Sequence, residues 1–329
     1  MRLRKDVLKL DNLASITSRK TIATRVLNYG KMISKDFKRN KLIYLLATPG
    51  ILYFIIFLYV PMYGLIIAFK DYIPSVGIFE SPWVGFRHFY TFFQSFYFTR
   101  ILRNTVLLSF YSILWGFPAP IILALLLNEI RQERFKRTVQ TVSYLPHFIS
   151  MVIVCGMITQ FSTTNGLINT IIAFFGGQRS NLLARSEMFR TIFVSSEVWQ
   201  QIGWGSIIYL AALSNVDLAQ YDAATVDGAN RWQKLVHVTI PAIIPTIVIM
   251  LILRIGRMMN ISFERVILLY NPLTYQTADV ISSFVYRKGI LEASYSYSTA
   301  VGLFNSVINF ILLYSANKIS KMVNETSLW

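Results

Sequence analysis

An apolar stretch downstream of Pro241 is interrupted by Arg254, Arg257, Asn260, Glu264 and Arg265. Arg254 lies about 13 residues beyond Pro241, roughly 20 Å along a helix rising 1.5 Å per residue. At about 100° per residue, the four charges share about one third of a helix circumference. A second apolar run carries Glu197, Gln200 and Gln201. Polar groups at such depth face protein or a watered cavity rather than lipid. Two chemistries are open to them. Arg254, Arg257, Asn260 and Glu264, with Glu197, can line a passage and hydrogen-bond a polar solute, or they can form a charge network that fixes helix packing. In a passage, two neighbouring guanidiniums suit a carboxylate-bearing solute such as a uronic sugar.

Reactive chemistry has less to stand on. His88, His147 and His237 sit on separate segments without ligand spacing, so no metal site is expected. Cys155 is the single cysteine and lies inside an apolar run, which excludes an intramolecular disulfide. No nucleophile motif, carboxylate pair or Gly-x-x-x-x-Gly-Lys-Ser/Thr phosphate loop is present, so the chain itself is not expected to hydrolyse ATP.

The polar stretch Tyr221 to Pro241 lies between two apolar runs and cannot itself cross a bilayer. Asp217 can cap a short helix, with Gln220 three residues on as its partner in a capping box. Ala223 and Ala224 leave one face of that helix flat. Gly228 follows Asp227 where a helix can end in a left-handed residue, and a second helix can then run through Trp232 and Leu235 to Pro241. The result is a compact knob on the membrane surface, suited to a groove on another protein, or else an ordinary linker between spans.

These residues need a frame of membrane helices. Of the 329 residues, 54% are hydrophobic and 15% aromatic, far more apolar than a soluble domain of this size requires. Apolar runs at about 43–69, 104–128, 142–161, 191–213, 242–269 and 298–315 predict an all-α polytopic membrane protein with six spans. Residues 1–41 hold 12 Lys or Arg and three Asp, a basic tail able to form an amphipathic helix on anionic lipid. The organisation expected is a tail over 1–41, a six-helix domain over 42–318 containing the polar loop 214–241, and a second tail over 319–329. With six spans, 20 of the 32 Lys and Arg fall on the side of the termini and of the 214–241 loop, which places that side in the cytoplasm. A net charge of +16 distributed this way is an orientation signal, and no nucleic-acid recognition module interrupts the pattern. Between Lys70 and Arg103 the outer segment is dense in rings, which form an interfacial belt or stack on sugars.

The polar loop resembles the signature loop of bacterial ABC importer permeases: Glu-Ala-Ala, then Gly three residues later, then a hydrophobic sequence closing on Pro. Asp222, Ala223, Ala224, Asp227, Gly228, Ala229, Leu235, Val238, Ile240 and Pro241 fall on that pattern, with Asp222 in place of the usual Glu and Leu235 in place of the usual Phe. From Leu42 to Trp329 the chain is similar to a carbohydrate branch of that family that includes permeases for alginate-type oligosaccharides. Pro61-Met62-Tyr63-Gly64, Phe117-Pro118-Ala119-Pro120, Ser143 to Phe148, Gly203-Trp204-Gly205 and Leu269 to Pro272 carry this likeness. The resemblance implies a type I importer permease fold in the bacterial cytoplasmic (inner) membrane, with the loop gripped as a coupling helix by a cytoplasmic ATPase. It further implies a second, related permease forming a heterodimer, two ATPase subunits that bind ATP and magnesium, an extracytoplasmic solute-binding protein and a carbohydrate substrate. The alternative is a secondary transporter or channel using Glu197, Arg254 and Glu264 for ion coupling, although no internal repeat is evident.

Overall fold

A computed structural model describes residues 35–37 and 39–324. Most of the basic tail, with its expected amphipathic helix, and the last five residues lie outside the described part. The chain divides into two compact units, residues 1–64 and 65–329. In the first, the helical stretch from Lys41 carries no buried residue through Phe54, and Leu42, Ile43, Leu45 and Leu46 are all exposed. An apolar helix bare on every side is stable only against lipid or another apolar chain. It belongs to α1, Lys41–Phe69, which passes the unit boundary.

In the second unit, α2 (Arg87–Gln94) precedes α3 (Tyr97–Glu129). Pro118 falls in the first turn of the segment Pro118–Glu129, where its missing amide costs nothing, so α3 continues through it. The amphipathic α4 (Glu133–Tyr144) leads to α5 (Met151–Phe174), which Ser150 caps by accepting from the Ile153 amide. The expected span 142–161 is therefore displaced. Pro146 lies in a 3-10 turn, Leu145–Phe148, and the membrane helix starts only after it. Next come α6 (Ser186–Leu213), α7 (Leu218–Val226), α8 (Arg231–Ile255), α9 (Phe263–Leu269), α10 (Ile281–Tyr286) and α11 (Tyr295–Asn324). Among the described residues, five helices are long and apolar enough to cross a membrane. The pair α6 and α7, bent by 73°, makes a sixth when counted as one span.

α3 and α6 run side by side in one direction. Arg190 meets Asn104, Glu197 meets Ser112, Gly205 meets Pro120, and Tyr209 and Leu213 join Ala124 in one apolar cluster. The beginning of α3 and the hairpin that follows α6 therefore lie at opposite ends of the bundle. A Cβ on Gly203 would sit 2.0 Å from the Ser143 carbonyl oxygen, so α6 approaches the end of α4 as closely as backbone permits. Gly203→Ala is expected to cost about 1–3 kcal/mol through overpacking. Gly302→Ala, where a Cβ would meet nothing within 4 Å, serves as the neutral control in a detergent thermal melt.

The outer aromatic run is partly core. Phe92 is fully buried and packs against the rings of Phe98, Phe284, Tyr297 and Phe304. Asp279, also fully buried, holds this end together. It accepts from both Arg287 nitrogens at 2.6 and 3.2 Å and from the Ser283 hydroxyl at 2.8 Å.

The expected span 242–269 does not exist as one helix. α8 starts at Arg231, absorbs Pro241 in the first turn of the segment Ile240–Ile255, and stops at Ile255. Residues 256–259 form turns, and the chain is helical again only from Phe263. A broken helix at membrane depth needs partners for its freed backbone groups. Asn309 Oδ1 accepts from the Met259 amide at 3.0 Å, and the Ser109 hydroxyl donates to the Met258 carbonyl. The single charged helix face expected from periodicity is therefore divided among the end of α8, the break that holds Arg257 and Asn260, and the short α9.

Candidate translocation cleft and coupling hairpin

On α6, Glu197 is held by groups from two other helices, α3 and α8. Arg254 Nη2 donates to Glu197 Oε1 at 2.6 Å and to Ser112 Oγ at 3.0 Å, and the Ser112 hydroxyl donates to Glu197 Oε2. Beside this triad opens a cleft of about 470 Å³, lined by Glu197, Arg254, Arg257 and Asn260 together with Ser109 and Ser112. On the other side of the pair lies a smaller cleft of about 290 Å³, reached also by Trp204, Tyr209 and Arg265. The Glu197–Arg254 pair thus forms a partition between two cavities.

Of the five residues proposed from sequence for a passage, four meet on the larger cleft. Glu264 does not line it. It lies exposed on α9, beyond the break that turns the helix face away. Asn260 accepts from Asn305 at 2.8 Å and from Asn309 at 3.2 Å, which ties the break to α11. Arg257 is exposed, and its guanidinium makes no hydrogen bond or ion pair among the described residues. Arg265 has gone into the core instead. Only 1% exposed, it donates to Ser196 Oγ at 2.8 Å and to Gln200 Oε1, and its guanidinium lies 5.8 Å from the Phe193 ring. Gln201 meets His147 at 3.1 Å, and His147 stacks flat on Trp204 at 4.4 Å. Glu197, Gln200 and Gln201 therefore all face protein or cavity. Ser112 and Ser109 escaped the sequence reading because a lone serine in an apolar helix carries no distinguishing pattern.

At the far end of α6 stands the hairpin. Asp217 caps α7 by accepting from the Ala219 amide at 2.9 Å. The reciprocal capping box anticipated at Asp217 and Gln220 forms at Asn230, whose side chain accepts from the Gln233 amide at 2.9 Å while Gln233 Oε1 accepts from the Asn230 amide at 2.8 Å. α7 ends in a Schellman motif: Ala229 N donates to the Ala224 carbonyl at 2.9 Å and Gly228 N to the Thr225 carbonyl at 3.1 Å, with Gly228 at φ +74°. Lys234 Nζ donates to Thr225 Oγ1 at 2.7 Å and Tyr221 meets Thr239 at 2.9 Å, so both arms are clamped. Asp222, Ala223, Asp227 and Gly228 are exposed, Ala224, Ala229 and Leu235 are half-buried, and Pro241 begins the membrane part of α8. Leu218, Val226 and Trp232 are 74%, 88% and 70% exposed. Three large apolar side chains thus stand bare on the hairpin.

Bent and broken membrane helices, polar cavities at mid-bundle and a capped hairpin at one end define a membrane transport subunit. The chain belongs to the family of binding-protein-dependent transport system inner membrane components, whose model matches residues 116–321. It is 48% identical to Protein LplB of Bacillus subtilis (strain 168) over 92% of this chain and 96% of that protein. To the polygalacturonan/rhamnogalacturonan transport system permease protein YteP of the same organism it is 44% identical, over 88% of this chain and 91% of that one. A chain in the crystal structure of a bacterial ABC transporter involved in the import of the acidic polysaccharide alginate matches with a TM-score of 0.83 and 44% identity, covering 89% of this chain and 99% of that one.

Proposed function

We propose that this chain forms half of the translocation pathway of an ATP-driven importer for oligosaccharides, and that uronate-bearing fragments are its preferred cargo. A second, related permease supplies the other half. Two ATPase subunits hold ATP and magnesium and grip the hairpin of residues 217–241, and an extracytoplasmic binding protein delivers the sugar. The chain spans the bacterial cytoplasmic membrane with its termini and hairpin inside. It hydrolyses nothing itself; closure of the ATPases moves α7 and, through the bend at Ser214 to Asp217, rocks α6 and the cleft beside it.

The observation that carries the preference for acidic cargo is the division of labour between the two arginines. Arg254 is neutralised by Glu197, whereas Arg257 presents an uncompensated guanidinium to the cleft. Such a group binds a carboxylate more strongly than a hydroxyl because the hydrogen bond is charge-assisted on both sides. The names of the relatives point the same way, since polygalacturonan and alginate are both acidic glycans.

Reconstitution of the chain in liposomes with its partner permease, ATPase and binding protein tests this reading. Uptake of trigalacturonate is expected to require ATP and to fall about tenfold or more with Arg257→Gln, while galactotriose uptake changes less than about threefold. Equal losses for both sugars would remove the acidic preference. Uptake without ATP would replace the importer reading with the ion-coupled alternative.

A further inference from the structure

The end of the bundle opposite the hairpin holds a separate cavity of about 840 Å³, at the upper end of the ordinary range for small-molecule clefts. Tyr72, Tyr97, Tyr295 and Tyr297 put four rings on its wall, with Gln94 and Ser294 among the polar groups between them. Its frame is well tied. The Tyr72 amide donates to Ser296 Oγ at 2.8 Å, the Tyr72 ring meets Tyr295 edge-on at 6.0 Å, and Phe284 behind them belongs to the buried cluster around Phe92. At the rim, Ala293 adopts φ 53°, the sole positive φ outside glycine among the described residues. A residue held in that conformation is maintained by its surroundings, and such positions concentrate at ligand sites.

The charges of this cavity differ in kind from those of the membrane cleft. Arg87 is paired with Asp71 at 2.8 Å, and Lys288 with Glu292 at 2.5 Å, so both cations at the rim are already compensated. What remains is flat aromatic surface alternating with amide and hydroxyl groups. That combination matches a pyranose, whose C–H faces pack on rings while its hydroxyls exchange hydrogen bonds at the edge. Rings of a membrane belt would stand singly toward lipid headgroups, whereas these four converge on a concave, polar-walled space.

We propose that this cavity is a receiving site for one sugar ring of the transported oligosaccharide at the extracytoplasmic face, recognising ring shape without selecting for a carboxylate. The proposal rests on the sugar-importer reading and deepens it. Carboxylate selection then belongs to Arg257, deeper in the path.

The full chain in lipid nanodiscs, probed by saturation-transfer NMR with galactotriose and trigalacturonate, tests it without ATP or partners. Both trisaccharides are expected to receive saturation at this site with affinities within about threefold of each other. Tyr295→Ala is expected to weaken galactotriose binding about tenfold and Tyr295→Phe to preserve it, since the ring and not the hydroxyl makes the contact. Gln94→Ala, a change at an exposed side chain, is expected to weaken binding about threefold without touching the packing. Unchanged galactotriose binding by both Tyr295→Ala and Gln94→Ala overturns the proposal, as does absence of binding by the wild-type chain when the assembled importer takes up the same sugar. Failure of the assembled importer to take up any sugar is a separate result, which removes the sugar-importer reading itself.

Discussion

Gly228→Val is expected to abolish ATP-driven uptake while leaving the chain inserted in the membrane. The reason is conformational. Gly228 sits at φ +74°, and a Cβ built there would meet nothing within 4 Å, so crowding inside this chain plays no part. A left-handed conformation costs an ordinary L residue about 1–2 kcal/mol, and a β-branched one more. The strain falls on the two bonds that close α7, from the Ala229 and Gly228 amides. α7 has nine residues, so loss of its last turn redirects much of the exposed surface formed by Leu218, Val226 and Trp232. Asparagine tolerates the left-handed region, so Gly228→Asn should retain most of the uptake and Gly228→Ala an intermediate level. Co-purification of the ATPase, read beside uptake, separates docking from folding. Normal uptake by the valine variant at normal membrane levels would mean that the hairpin does not transmit the stroke.

The second large effect is expected at Glu197. Removing it strands Arg254 and Ser112 at the partition between the two clefts. Breaking a buried pair from one side costs about 3–5 kcal/mol. Arg254 keeps 40% of its side chain exposed, so solvent screening lowers the expected loss for Glu197→Ala to about 2–3 kcal/mol. Glu197→Leu combined with Arg254→Met should recover most of that stability, because apolar replacement of both members removes the desolvation cost together with the attraction. Thermal unfolding of Glu197→Leu, Arg254→Met and the double variant forms the cycle that isolates the pair. A double variant no more stable than Glu197→Ala would show that Arg254 and Glu197 do not act on each other. Uptake adds a second reading: a stable double variant that no longer transports assigns the pair to the pathway, and one that transports normally assigns it to packing.

By itself, the amino-acid sequence determined the membrane class, the six-helix plan, and the hairpin with its left-handed glycine. Each of these rests on local physics: apolar runs longer than the bilayer is thick, and a backbone conformation that glycine adopts without strain. Four of the five residues read from the sequence as a possible passage do line one cleft, for a related reason: a charge in an apolar run must find a cavity or a partner wherever the chain folds. Only the tertiary structure decided which fate each one met. Asn309 and Ser109, on other helices, satisfy the backbone freed near Met259, so α8 stops at Ile255 and Glu264 is carried out of the cleft. Gln200 and Ser196 take up Arg265, and Glu197 takes up Arg254, which leaves Arg257 facing the cleft uncompensated. Helical periodicity assumes an unbroken helix and cannot register a break that side chains 50 or 149 residues away make tolerable.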